Sequence, residues 1–215
     1  MLEHKTISLS EQVFDRLETE ILSGKYPRGE ILTEMKLVQD MGVSRTPIRE
    51  ALRRLEQEHI IEMTTRGILI VGVTHKDLED IFNIRIRIEG MCSYEAAKNI
   101  TEEELRELRE TLELQEFYIP KGDADRIKIM DSKFHQLLYR FSGSSVYYDT
   151  LMPLHKKVQK YRRVSVENED RARQSAREHR AIYEAIAARD AALAEQRTVE
   201  HIKNAMDHIL GREID

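Results

Sequence analysis

At 100° per residue, the stretch from Ser44 to Glu58 sorts its side chains onto two faces. Ile48, Ala51, Leu52 and Leu55 share one face, while Arg45, Thr46, Arg49, Arg53 and Glu56 share another. Ser44 is a suitable N-cap, and Pro47 falls in the first turn, where a missing N–H costs little. Just upstream, Thr33 caps a shorter helix that runs to Met41 with Leu37, Val38 and Met41 inward, and Gly42 turns the chain. A short helix, a glycine turn and a second helix that buries one side and displays arginines on the other together fit the DNA major groove. Arg45, Thr46 and Arg49, nearest the start of that helix, are placed to go deepest.

The flanking segments complete a domain. Val13, Phe14, Leu17 and Ile21 give Ser8–Ser23 the spacing of an amphipathic helix, which Gly24 and Pro27 end. After the arginine helix, Ile60–Thr64 and Ile68–Val71 are two apolar, β-branched runs around Thr65-Arg66-Gly67, the pattern of a hairpin. Its tip is slim and positive enough to reach a phosphate or a minor groove. One arginine-bearing helix alone is ordinary surface charge. The ordered set predicts a winged helix-turn-helix over residues 1–74, with double-stranded operator DNA as the partner.

Net charge does not make this case. The chain carries −5 overall, and residues 1–74 hold 10 Lys/Arg against 12 Asp/Glu. DNA contact therefore has to come from a local basic face. Cys92 is the single cysteine, which excludes an internal disulfide. The charged N-terminus lacks the apolar core of a signal peptide, and no apolar run is long enough to span a bilayer. The expected compartment is the cytoplasm.

Residues 75–215 read as helices only, near 75–98, 101–118, 124–141, 145–166, 170–188 and 190–210, with a break near Asn168. Thr74–Asp77 and Thr101–Glu104 are capping-box patterns. Such a set predicts an all-α antiparallel bundle with sites built from inward side chains. The fold class is thus mostly α, with a small β-hairpin wing.

Several inward positions are ionisable. Asp131 and His135 lie one helical turn apart among Ile127, Phe134 and Leu138. His179 lies among Ala176, Ile182, Tyr183 and Ile186, and His201 sits at the edge of an Ile202, Ala205, Met206 and Ile209 stripe. Burying such groups is costly unless something pairs them, and a divalent cation would compensate them together. Singly, each histidine reads more simply as a hydrogen-bonded helix residue, and His155 and His208 compete as candidates. Arg85 lies in the middle of the buried stripe of Ile81, Phe82, Ile88 and Cys92. It either snorkels or pairs with Glu89, or it grips a carboxylate inside the bundle.

Three stretches of the N-terminal half, ILSGKYPRGEILTE (21–34), MGVSRTPIREALRRLEQEHIIE (41–62) and TTRGILIV (64–71), resemble the DNA-binding domain of the GntR family of bacterial regulators. The resemblance implies DNA contacts from Arg45, Thr46, Arg49 and the wing residues Arg66-Gly67. Lys36 is the candidate for a basic residue the family often carries early in its second helix, and Arg53 and Thr65 border the same surface. IFNIRIRIEGMCSYEAA (81–97), MDSKFHQLLYRFSG (130–143), REHRAIYEAIAARDAALAE (177–195) and TVEHIKNAM (198–206) resemble the FCD effector domain of the FadR-type subfamily, in its shorter, six-helix VanR-like branch. Many members bind a metal through an Asp and three His, which match Asp131, His135, His179 and His201. The family's Arg-x-x-Leu-Glu pattern puts a ligand-contacting arginine at Arg85. Ser144 stands where the family often has Asn, outside that ligand set.

The expectation is a homodimeric transcription regulator controlled by a small organic acid at a divalent metal, zinc ahead of nickel and manganese. A regulator that senses the metal alone is the alternative. A metal enzyme fused to a DNA anchor is a poorer fit, because no separate general base or nucleophile motif accompanies the ligands.

Overall fold

The structure, a computed structural model, describes residues 7–166 and 169–211, and their side chains outside 159–166. The break expected near Asn168 lies outside the described residues. The chain divides after Thr74 into two compact units.

The first unit begins with α1 (Leu9–Leu22), whose Ser8 hydroxyl accepts from the Glu11 amide. β1 (Ile31–Leu32), α2 (Glu34–Met41), α3 (Arg45–Gln57), β2 (Ile61–Thr64) and β3 (Gly67–Ile70) follow. The apolar face of α3 (Ile48, Ala51, Leu52 and Leu55) packs into a core with Phe14, Leu17, Leu37 and Ile68. Thr33 caps α2 through the Lys36 amide, and Gly42 closes it with a left-handed φ of 68°. Two details differ from the sequence reading. Ser44 occupies the N-cap position of α3, but its hydroxyl makes no capping hydrogen bond. Val38 and Met41 are only half-buried, packing against the core from its edge.

The hairpin β2–β3 pairs Ile61 with Ile70 and Thr64 with Gly67. β1 adds a third antiparallel strand on the other side of β3, giving the order β1-β3-β2. A two-residue strand carries no periodicity, so sequence pattern alone does not reveal it. Gly67 is required where it stands: its φ is +134°, and a Cβ there would lie 2.5 Å from the Leu32 carbonyl oxygen. The absent side chain is what lets β1 approach the wing.

The second unit contains α4 (His75–Asn99), α5 (Glu102–Tyr118), a 3₁₀ turn at Ile119–Lys121, α6 (Ala124–Phe141), α7 (Ser145–Val166), α8 (Glu169–Ala187) and α9 (Ala191–Leu210). A full capping box at Thr101 and Glu104 starts α5, and the carboxylates of Asp123 and Asp190 cap α6 and α9. Helix α4 lies along α9 and also meets α6, while α8 packs on α9 and α5 on α6. Gly90 allows the α4–α9 approach, since a methyl there would meet Val199 Cγ2 at 2.9 Å. A buried hydrogen bond from Thr198 to Ser93, 2.7 Å, ties the same two helices. Among the described residues no helix is long and apolar enough to cross a membrane.

Candidate nucleic-acid interface and metal centre

The first unit presents the surface expected from sequence. Arg45, Thr46, Arg49 and Arg53 are exposed on α3, opposite its buried face, and Thr65 and Arg66 are exposed at the wing tip beside Gly67. The tip is held in shape by Thr64, whose hydroxyl donates to the Gly67 carbonyl at 2.9 Å and accepts from the Arg66 amide at 3.2 Å. Arg49 Nε contacts both Glu34 oxygens at 3.0 Å, and Lys36 Nζ is 3.2 Å from Glu30. These exposed pairs are worth little, so an incoming phosphate or base can displace them. Arg54 takes another role, stacking its guanidinium 3.9 Å over the Phe14 ring. Glu56, which shares the arginine face, accepts from the Met63 amide and so braces α3 against β2.

In the second unit, α6, α8 and α9 bring His135, His179 and His201 together, all buried. His201 Nε2 lies 3.2 Å from His179 Nε2 and 3.3 Å from His135 Nε2. The opposite side of each ring is engaged by an oxygen. His135 Nδ1 is 2.8 Å from Glu89 Oε2, His179 Nδ1 is 2.8 Å from Gln115 Oε1, and His201 Nδ1 is 2.6 Å from Glu178 Oε2. Carboxylate and amide oxygens only accept, so each Nδ1 carries a proton, and in the neutral ring each Nε2 turns a lone pair inward. Burial opposes the charge of Glu178, but its hydrogen bond from His201, the guanidinium of Arg171 and the amide of Asn204 outweigh that and hold its carboxyl down at about 2. Phe134 stacks on His179 with centroids 4.2 Å apart and closes the apolar side.

Three facing lone pairs repel unless a cation lies among them. Ligands about 2.0–2.1 Å from a tetrahedral ion lie about 3.3 Å from one another, close to the separations seen here. Neutral imidazoles with their far nitrogens hydrogen-bonded to oxygens are the usual preparation for binding a metal. The donor set therefore fits a divalent ion. Asp131 Oδ1 stands beside the triad, 3.8 Å from His179 Nε2 and 3.4 Å from the Ser175 hydroxyl. All four residues singled out in the sequence thus meet at one place. His155 is buried beside His135, with ring centroids 5.8 Å apart, but it stands outside the triad, its Nδ1 3.3 Å from the Tyr139 hydroxyl. The thiol of Cys92 is buried outside this group of residues, and burial pushes it up to about 12.

Arg85 is fully buried next to this centre. Its Nε donates to Glu89 Oε1 at 2.5 Å, and Tyr139 donates to the same oxygen at 2.8 Å. Glu89 thereby joins Arg85 to His135. Burial opposes the charge of Arg85, the Glu89 carboxylate outweighs it, and the guanidinium stays firmly protonated. Nη1 and Nη2 of Arg85 are buried without a hydrogen-bond partner. A cavity of about 30 Å³ that opens to solvent lies between Arg85, Asp131, His135, Arg171, Ser175 and His201.

The sequence reading missed Gln115, Tyr139, Arg171 and Glu178. Gln115 is a polar residue on the Leu108, Thr111 and Leu112 stripe of α5, and Tyr139 continues the i, i+4 series of Asp131 and His135. Those positions were signals. Arg171 and Glu178 lie in a highly charged stretch where nothing separates them from solvated neighbours.

A winged helix-turn-helix followed in the chain by a helical unit with an internal polar centre defines a DNA-binding regulator with a sensory domain. Residues 9–70 match the bacterial regulatory proteins of the gntR family, and residues 80–204 match the FCD domain. The chain belongs to the GntR family of transcription regulators and carries an FCD effector-binding domain. It is 32% identical to the HTH-type transcriptional regulator YdhC of Bacillus subtilis, over 92% of this chain and 89% of that protein. It is 33% identical to the gluconate operon transcriptional repressor of Bacillus licheniformis, over 62% of this chain and 55% of the repressor. The fold is shared with Escherichia coli McbR/YncC at a TM-score of 0.80 and 24% identity, covering 95% and 98% of the two chains. These relatives and both matched domains are those of regulators, not enzymes.

Proposed function

We propose that this regulator holds a divalent ion, zinc first and nickel or manganese next, on Asp131, His135, His179 and His201, and that a small carboxylate bound beside it sets DNA affinity. The ion would neutralise the facing lone pairs and offer remaining coordination positions to an acid oxygen. The observation that carries the effector reading is Arg85: two buried, unpartnered Nη groups beside the polar centre and its cavity. Unpaired buried donors are costly, and a carboxylate satisfies them bidentately. The repressor of a gluconate operon among the relatives is in keeping with an organic acid and with repression. DNA-affinity titrations with acetate, propionate and malonate, on metal-loaded, metal-free and Arg85→Ala protein, test it. Metal-loaded protein responds, and the other two lose the response. An acid that binds and acts equally on all three removes this mechanism.

One observation favours sensing the metal alone. Asp131 and three histidines already supply four donors, a closed set for zinc. In that case metal changes DNA affinity and no acid does, an outcome the same titration reports.

On the DNA side, Arg45, Thr46 and Arg49 are the base-reading group, Arg66-Gly67 reaches a minor groove or backbone, and Lys36, Arg53 and Thr65 contact phosphates. Losing one bidentate arginine–guanine pair costs about 1–3 kcal/mol of discrimination. Competition binding of Arg45→Ala and Arg49→Ala should show relaxed operator preference, and unchanged preference in both would refute the assignment. A single recognition helix reads few base pairs, so a homodimer on a two-fold operator in the cytoplasm completes the proposal. Sedimentation should find two chains per operator; one chain, free and on DNA, would remove it.

A further inference from the structure

Two guanidiniums border the cavity, and they are not equivalent. Arg171 is buried, and its Nη1 and Nη2 contact both oxygens of Glu178 at 3.2–3.3 Å. That carboxylate is fixed in turn by Gln174 and Asn204, each at 2.9 Å, and by His201. Its place is set by α8 and α9 together, so it cannot swing away and release Arg171. Arg85 gives only its Nε to Glu89, and both Nη groups stay unpartnered. The cavity then offers one open guanidinium face, with one neutralised guanidinium across from it.

We propose that Glu178 sets the charge of the effector: by holding Arg171 it leaves Arg85 as the open guanidinium, and the site takes a monocarboxylate in preference to a dicarboxylate. This rests on the effector reading above. The room agrees with it, because about 30 Å³ accommodates a few water-sized groups, roughly one carboxylate, with the rest of the acid toward the opening. A second carboxylate turned toward Arg171 would face the Glu178 carboxylate, and the guanidinium there is already neutralised. Buried charge without a partner is strongly disfavoured, and rejection of that kind is a common source of specificity.

The site supplies its own control. His179 has its Nδ1 held by the neutral amide oxygen of Gln115. Glu178→Gln can hold His201 in the same tautomer while removing one negative charge and freeing Arg171. Calorimetry on the metal-loaded full chain, with propionate and malonate as probes and metal content checked after each titration, reads the result. In the native protein malonate binds at least about tenfold more weakly than propionate. In Glu178→Gln that ratio falls by at least about tenfold, and adding Arg171→Gln to it abolishes the gain. Native protein that binds malonate as well as propionate overturns the proposal without need of any variant, and so does an unchanged ratio in Glu178→Gln. If neither acid binds native protein and Arg85→Ala is silent, the effector reading itself has failed, which is a different result.

Discussion

Glu89→Ala should lower the stability of the metal-free protein by about 3–5 kcal/mol, the range seen when one member of a buried ion pair is removed. Glu89 is fully buried and accepts from three groups: Arg85 Nε, His135 Nδ1 and the Tyr139 hydroxyl. Truncation leaves a guanidinium inside the bundle without its ion-pair partner, and takes the Glu89 acceptor from His135 Nδ1 and the Tyr139 hydroxyl. The loss should appear as a lower urea midpoint in helical circular dichroism. Lys76→Ala, which removes the exposed pair with Asp80, should leave the midpoint within error. Glu89→Leu combined with Arg85→Met should be less destabilised than the sum of the two single changes, because no bare charge remains. A Glu89→Ala protein within about 1 kcal/mol of native would mean that Arg85 finds compensation elsewhere, and the view of Glu89 as the link between cavity and metal centre would fall.

This dependence on one carboxylate also marks what the sequence could convey. The arginine helix was legible because its information is local: Ile48, Leu52 and Leu55 repeat at helical spacing, and Arg45, Arg49 and Arg53 repeat opposite them. The wing was legible from two apolar runs around a glycine, though β1 was not, since its partner Leu69 lies far along the chain. The candidate metal ligands stood out as polar groups on buried stripes, and the family resemblance singled out four of them. Their supports did not stand out. Glu89 reaches His135 across 46 residues, and Gln115 reaches His179 across 64. Such pairings exist only once helices have packed. Arg171 and Glu178 are seven apart on one helix face, yet the six other charged residues of 167–180 look the same in sequence, and only packing sets this pair apart.

His179→Ala with His201→Ala should abolish binding of one divalent ion per chain. It should also erase the stabilisation that the ion gives the native protein. Two of the three facing Nε2 donors are lost, and the remaining pair, His135 and Asp131, is a weak chelate. An ion that binds only the folded site stabilises by an amount set by its concentration relative to its dissociation constant, about 4 kcal/mol at a thousandfold excess. For a chain of this size that is a rise of about 10 °C in Tm. Native protein stripped with chelator should therefore melt about 10 °C lower and recover with zinc, nickel or manganese, whereas the double variant melts at one temperature with and without the ion. The effect has a structural origin beyond mass action. In the stripped protein the three imidazoles must part, or share a proton, to relieve lone pairs 3.2–3.3 Å apart, and either change disturbs helices that Gly90 and Thr198 hold in close register. Elemental analysis after dialysis decides the matter: a full complement of ion in the double variant would place the ligands elsewhere, and a native protein that neither retains nor responds to any of the three metals would remove the metal centre altogether.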